Sequence, residues 1–234
     1  MSLTFVSLFC SFVEGGREGE REKGKRGLKP DQRLILLVLK ACSIIAENEE
    51  RELRCMLGED KEKWGCSQNH VANVKSIGMT LHSYLRKVMG PHIDGYTGSA
   101  LVTMYGKCRS IREAEKVFVG MLERNLASWT SMMSAYVQLG QFKKTLLLYR
   151  QMLEENINQN QHTYSVALQA CYGLSKHMAS KLICLDIVHA LHTAIHRNGL
   201  GSNVFVATSL MNIYGRCGRI NEAENVFTGL PQCD

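Results

Sequence analysis

The stretch LVTMYGKCRSIREAEKVF at 101–118 returns as LMNIYGRCGRINEAENVF at 210–227. Tyr105 aligns with Tyr214, Gly106 with Gly215, Cys108 with Cys217, Ala114 with Ala223, and Val117-Phe118 with Val226-Phe227, always 109 residues apart. A repeat at a fixed offset decides the architecture. One copy is a single supersecondary unit that cannot bury its own apolar face, so it must stack on neighbours. In the first copy Ala100, Leu101, Met104 and Tyr105 fall at helical spacing. Gly106 to Ser110 reads as a turn, and Ile111, Ala114, Val117 and Phe118 restart the 3.6 period. Each copy is therefore a helix-turn-helix.

The segments around the two copies follow the same plan. SWTSMMSAYVQLG at 128–140 reads as a first helix with a C-cap at Gly140. QFKKTLLLYRQMLEE at 141–155 reads as a second helix with Phe142, Leu146, Tyr149 and Leu153 on one face. Farther out, LLVLKACS at 36–43 matches SVALQACY at 165–172, and LHSYLRK at 81–87 matches LHTAIHR at 191–197. The chain then divides into a long unit 29–94, a short unit 95–125, a middle unit 126–160, a long unit 161–203 and a short unit 204–234. The fold class expected is all-α: a right-handed α-solenoid of about five helix-turn-helix repeats, the first of them interrupted.

These units resemble pentatricopeptide repeats, of the plant class in which standard, long and short repeats alternate. LVTMYGKC and LMNIYGRC, EAEKVF and EAENVF, SWTSMMSAYVQLGQ, VLKAC and ALQAC, and the two Leu-His pairs carry the resemblance. The 31-residue units resemble the short type, 126–160 the standard 35-residue type, and 29–94 and 161–203 the long type.

Composition is compatible with such an array. Apolar residues make up 45% and charged residues 21%, as in ordinary globular chains. Two of only three prolines, Pro30 and Pro231, lie near the ends, which suits an all-helical chain. Residues 1–74 carry 12 Lys/Arg and 12 Asp/Glu, whereas 75–234 carry 16 and 10, so the whole net charge of +6 lies on the clean repeats. That excess suits a phosphate-backbone partner without demanding one. Of nine cysteines, Cys42 pairs by position with Cys171 and Cys108 with Cys217, and no C-x-x-C occurs. Equivalent positions lie repeats apart, so these residues read as small packing groups in a reducing compartment. His189, His192 and His196 share one helical face but have no companion ligands in the sequence, and His192 repeats His82 as a packing residue. No metal and no cofactor are expected.

The resemblance implies single-stranded RNA as the partner and assigns the readers. One is a small polar residue early in each first helix, and the other is the last residue of the same unit. Here the base-reading pairs are Ser99 with Asn125, Thr130 with Asn160, Ser165 with Asn203, and Thr208 with Asp234. Hydroxyls and Asn donate and accept, whereas ionised Asp only accepts. Ser or Thr with Asn suits adenine and Thr with Asp suits guanine, giving A-A-(A or any)-G from 5′ to 3′. The first long unit offers Leu36 and Asp94, and Leu36 cannot select a base. Tyr96, Ala127, His162 and Phe205, three residues before the first reader of each pair, would flank the base, with the rings of Tyr96 and Phe205 stacking on it. The rival reading makes Ser99, Thr130, Ser165 and Thr208 helix N-caps, which is where helices favour such residues.

No catalytic residues are expected. None of the eight His begins the H-x-E of a zinc deaminase, and no nucleophile elbow, P-loop or dinucleotide loop occurs. The expected role is site recognition for organellar RNA processing or C-to-U editing, with any deaminase supplied in trans. The alternatives are a protein-interaction scaffold or a fragment of a longer array. Localisation to the chloroplast or mitochondrion follows from the resemblance alone. MSLTFVSLFCSFV at 1–13 is too short to span a membrane, and Glu14, Glu18, Glu20 and Glu22 are unlike a transit peptide. Residues 1–28 are expected to be disordered. Residues 46–74, acidic and weakly periodic, read as an insert: a surface loop, or sequence foreign to the protein.

Overall fold

The structure, a computed structural model, describes residues 32–56, 64–90, 93–176 and 181–230. All regular structure among them is α-helical. The helices are α1 (Gln32–Met56), α2 (Trp64–Met89), α3 (Gly95–Lys107), α4 (Ile111–Gly120), α5 (Leu126–Gln138), α6 (Phe142–Glu154), α7 (Gln161–Leu174), α8 (Lys181–Arg197), α9 (Val204–Cys217) and α10 (Ile220–Thr228). Each sequence unit contributes one hairpin of two helices, the construction of an α-solenoid. The chain forms two compact units, 1–128 and 129–234.

In the first unit α1 packs on both α2 and α3, and α3 packs on α2 and α4. The α1 stripe is Ile35, Val38, Leu39, Cys42 and Ala46, spaced by three and four residues and fully buried. α1 packs on α2 and α3, where Val74, Leu81 and Leu85 of α2 and Leu101, Val102, Met104 and Tyr105 of α3 are also buried. The helices come close where a side chain is missing. A Cβ on Gly78 would lie 2.3 Å from Cε of Met104, and one on Gly98 2.5 Å from Cε of Met121. The Lys107 Nζ to Glu47 Oε2 ion pair, 3.3 Å, also joins α3 to α1.

Part of the expected insert is helix. Residues 46–56 complete α1 and 64–74 open α2, so the surface-loop alternative is corrected over both stretches, while 57–63 lie outside the described residues. The weak periodicity had suggested a loop. Glu and Arg are good helix formers, however, and intrinsic propensity can carry a stretch that no apolar stripe marks. The expectation for 1–28 lies outside the described residues.

In the second unit α7 packs on α6, α8 and α9, and α9 packs on α8 and α10. The core holds Trp129, Met132 and Met133, then Tyr164, Leu168 and Cys171, then Val188, Leu191 and Ile195, then Leu210, Ile213 and Tyr214. The face expected for α6 is rotated. Thr145, Tyr149 and Met152 are its buried residues, whereas Leu153 is 43% exposed. The ring of Phe142 occupies the space above Gly173, where a Cβ would lie 2.3 Å away.

Two details unite sequence-equivalent positions. The turn after each YG motif needs a left-handed residue. Gly218 fills it at φ 77° and Arg109, its counterpart 109 residues earlier, at φ 55°. The Leu-His pair of each long unit meets the Tyr of the following short unit. His82 Nδ1 lies 3.1 Å from the Tyr105 hydroxyl, and His192 Nδ1 lies 2.9 Å from the Tyr214 hydroxyl. The packing role read for His82 and His192 is the one observed. His196 Nε2 follows at 3.1 Å from His192 Nε2. A network with Tyr O–H donating to Nδ1 and His192 Nε2–H donating to His196 satisfies all three groups. The repeated cysteines Cys42, Cys108 and Cys171 are buried thiols, none of them in a disulfide, and burial pushes the Cys171 thiol up to about 12.

Burial, then the Arg86 charge, holds His82 below its ordinary value. Burial, then His196 and His189, does the same to His192. In the unfolded chain each imidazole binds a proton near the usual value of 6.5; in the folded chain it resists until lower pH. The unfolded state therefore holds more protons in that window, and stability falls as pH drops through 6.5 toward the folded-state values. Urea midpoints between pH 7.5 and 5 should decline for the parent chain and decline less for the His82→Gln/His192→Gln variant. Equal slopes would show that the two His–Tyr bonds do not carry this dependence.

Candidate nucleic-acid interface

An α-helix begins with backbone N–H groups that have no acceptor within the helix. At four helix starts in this chain the acceptor is the last residue of the preceding sequence unit. Asp94 Oδ1 accepts from Thr97 N at 3.1 Å, Asn125 Oδ1 from Ser128 N at 2.9 Å, Asn160 Oδ1 from Thr163 N at 3.0 Å, and Asn203 Oδ1 from Val206 N at 3.2 Å. These are the N-caps. The rival reading of Ser99, Thr130, Ser165 and Thr208 as N-caps is thereby corrected. Each is the fifth residue of its helix, as is Leu36 in α1. The Ser99 hydroxyl donates back to the Gly95 carbonyl, and that of Thr208 to the Val204 carbonyl at 2.7 Å, as hydroxyls inside a helix do. The signal for the true caps was legible: an Asx residue directly before each apolar-periodic run.

Geometry brings two of the four expected pairs together. Ser99 Oγ lies 3.3 Å from Asn125 Oδ1. Thr130 reaches Asn160 through a third residue: its Oγ1 lies 3.5 Å from Thr163 Oγ1, which donates to Asn160 Oδ1 at 3.0 Å. The 161–203 unit is arranged differently. Asn203 Nδ2 donates to Gln161 Oε1, one turn before Ser165. Thr208 is exposed, and its expected partner Asp234 lies outside the described residues. The positions expected to flank a base are the second residues of their helices, and all four are exposed. Tyr96 is 76% and Phe205 74% accessible, unusual for large rings, and Ala127 and His162 share that exposure.

Capping also fixes what each Asn can offer. A backbone N–H must be met by oxygen, so Oδ1 turns to the helix and Nδ2 is the group left for another partner. In Asn160 both acceptor sites of Oδ1 are used, by Thr163 N and Thr163 Oγ1, each at 3.0 Å. Gln161 and Thr163 were not expected among these residues, because nothing in their identity separates them from ordinary helix residues. Among the described residues no cluster of three or more His, Cys, Asp or Glu is placed to hold a metal ion. No described helix is long and apolar enough to cross a membrane.

Comparison with known proteins gives one consistent result. Residues 124–173 match the PPR repeat family, and 99–126 and 205–232 each match a PPR repeat. A chloroplastic pentatricopeptide repeat-containing protein of Arabidopsis thaliana is 38% identical over 233 residues, 97% of this chain and 24% of that protein. Another pentatricopeptide repeat-containing protein of Arabidopsis thaliana is 36% identical over 151 residues, 64% of this chain and 20% of the relative. The chain thus spans about a quarter of the length of such relatives. Among solved structures, the pentatricopeptide repeat protein PPR10 from maize superposes with a TM-score of 0.46 at 18% identity, over 94% of this chain and 36% of that one.

The capping role has a direct consequence for stability. Asn160→Ala should destabilise by about 1 kcal/mol, the usual effect of losing a cap, whereas Asn160→Asp should be close to neutral because Asp caps as well as Asn. Chemical denaturation of the three chains measures both. An alanine variant as stable as the parent would mean that Asn160 does not cap α7.

Proposed function

The chain carries pentatricopeptide repeats at 99–173 and 205–232, and from that premise we propose that it binds single-stranded RNA, one nucleotide per repeat. One observation carries the reading. Each first helix from α3 onward opens with the same triplet of positions: a terminal Asn or Asp of the preceding unit at the cap, an exposed residue at the second position, and a hydroxyl at the fifth. Folding alone would accept many side chains at the second and fifth positions. Their recurrence at 96 and 99, 127 and 130, 162 and 165, and 205 and 208 fits a ligand that repeats with the same step.

The proposed division of labour follows from the chemistry. Tyr96 and Phe205 stack on bases, with Ala127 and His162 flanking them. Ser99 with Asn125 and Thr130 with Asn160 select adenine. Ser165 with Asn203 selects weakly, because Asn203 is engaged by Gln161. Thr208 with Asp234 selects guanine, since the ionised carboxylate accepts from both N–H groups of that edge. The preferred stretch is A-A-(A or any)-G. The net positive charge of the repeats favours the phosphate backbone, so binding weakens with salt. In this proposal the protein works in an organelle, where it marks a site for processing or C-to-U editing and leaves any catalysis to a partner. The chloroplastic relative supports that placement.

Selection of oligonucleotides from a random single-stranded RNA pool should enrich this stretch. A Ser99→Ala/Thr130→Ala/Thr208→Ala variant should keep its helicity and lose the enrichment. Single base contacts in such grooves are worth about 1–3 kcal/mol each, so the loss should exceed about a hundredfold in affinity for the selected sequence. Asp234→Asn should move the last preference from guanine toward adenine. A pool that returns no common sequence, or a triple variant that enriches the same one, would overturn the proposal and favour a protein-binding scaffold.

A further inference from the structure

Thr163 is wholly buried at the third position of α7, three residues after Asn160 and 33 after Thr130, and its hydroxyl lies between the two. Its hydroxyl donates to Asn160 Oδ1 at 3.0 Å and lies 3.5 Å from the Thr130 hydroxyl. Resting on the RNA reading above, we infer that Thr163 is a positioning residue that makes the 126–160 unit prefer adenine over guanine.

The argument is one of acceptor sites. A side-chain amide oxygen has two. The cap fills the first of those on Asn160 with Thr163 N–H, and that bond needs no side chain at 163. The Thr163 hydroxyl fills the second. Asn160 then faces a base as a donor only, through Nδ2. The adenine Watson–Crick edge presents an acceptor at N1 beside the N6 amino group, and N1 accepts from Nδ2. The guanine edge presents N1–H and N2–H, which would oppose the N–H groups of Asn160 with no acceptor. Removing the Thr163 hydroxyl reopens one acceptor site on Oδ1, and guanine becomes acceptable. Thr163 itself cannot touch a nucleotide, because it is 0% exposed.

The short unit before it supplies the contrast. Ser128, at the same position in α5, donates its hydroxyl to the backbone carbonyl of Asn125 at 2.7 Å, and only its N–H goes to Asn125 Oδ1. The second acceptor site of Asn125 Oδ1 meets the Ser99 hydroxyl instead, at 3.3 Å, so the Ser128 hydroxyl is not a lock on that amide and Ser128→Ala serves as an internal control.

The test measures binding of the full chain to four oligoribonucleotides that differ only at the nucleotide read by the 126–160 unit. The parent should favour adenine over guanine. Thr163→Val, which keeps the shape and the backbone cap, should lower that ratio by about threefold to tenfold, the range expected for one hydrogen-bond site. Thr163→Ser should restore it, and Ser128→Ala should leave it unchanged. Circular dichroism melting confirms that each variant is folded. If the valine chain does not fold, Thr163→Ala, which also lacks the donor and keeps the backbone cap, is read in its place. An unchanged ratio in a folded variant lacking the hydroxyl overturns the inference. A parent chain without any preference at this nucleotide, by contrast, overturns the RNA reading of the unit itself.

Discussion

Every helix start must find acceptors for N–H groups that the helix cannot satisfy, and in this chain that requirement organises the fold. The caps at Asp94, Asn125, Asn160 and Asn203 are the final residues of four successive units. Each therefore belongs to one repeat in sequence and to the next in structure. A cap that bridges two units fixes where the second begins, and so sets the register of the residues that follow. The second and fifth positions of each first helix are placed by the cap just before them. In α7 the cap extends into a full capping box, with Thr163 and Asn160 bonded reciprocally.

Stacking depends on a second constraint, close approach between helices. Gly78 under Met104 of α3, Gly98 under Met121 just after α4, and Gly173 under Phe142 of α6 let a large side chain enter the surface of a neighbouring helix. Such knob-and-space contacts are specific to a partner helix, and they suit the native-like density that cores require. The His–Tyr bonds add a polar contact at the long-to-short junctions, His82 to Tyr105 and His192 to Tyr214. Both Tyr hydroxyls and both imidazoles are held by burial in their neutral forms, a donor and an acceptor suited to each other.

Much of this was legible in the sequence, for definable reasons. The constant offset between the two YG segments requires stacked hairpins, and helical spacing assigns Leu101, Met104 and Tyr105 to the buried side, as found. Expectation failed where a local pattern admits two answers. The α6 stripe was set one residue off because Leu146 and Leu153 outweigh a Thr in any apolar count, yet Thr145 is the buried residue. The helical stretches 46–56 and 64–74 escape a reading by periodicity because they carry no regular apolar stripe, the signal that such a reading needs. At the candidate site the residue pairs could be named only from the family resemblance, and Ser99 Oγ lies 3.3 Å from Asn125 Oδ1. The relay through Thr163 could not be named. It depends on which way a buried hydroxyl points, and no one-dimensional pattern records that.

The double duty of the terminal residue has a consequence for how such an array can vary. The cap uses only one atom, Oδ1, and Asn and Asp supply it equally well. They differ at the other atom, which is an N–H donor in Asn and an oxygen acceptor in Asp. The helix start is therefore indifferent to the choice that, under the proposed RNA reading, decides the base. An exchange of Asn for Asp changes what faces outward while the inward bond, the helix and the stacking on the next unit persist. A side chain without an acceptor at that place would sacrifice the cap along with the contact. Stability thus confines the position to a few residue types, and within that set leaves the outward chemistry open to change.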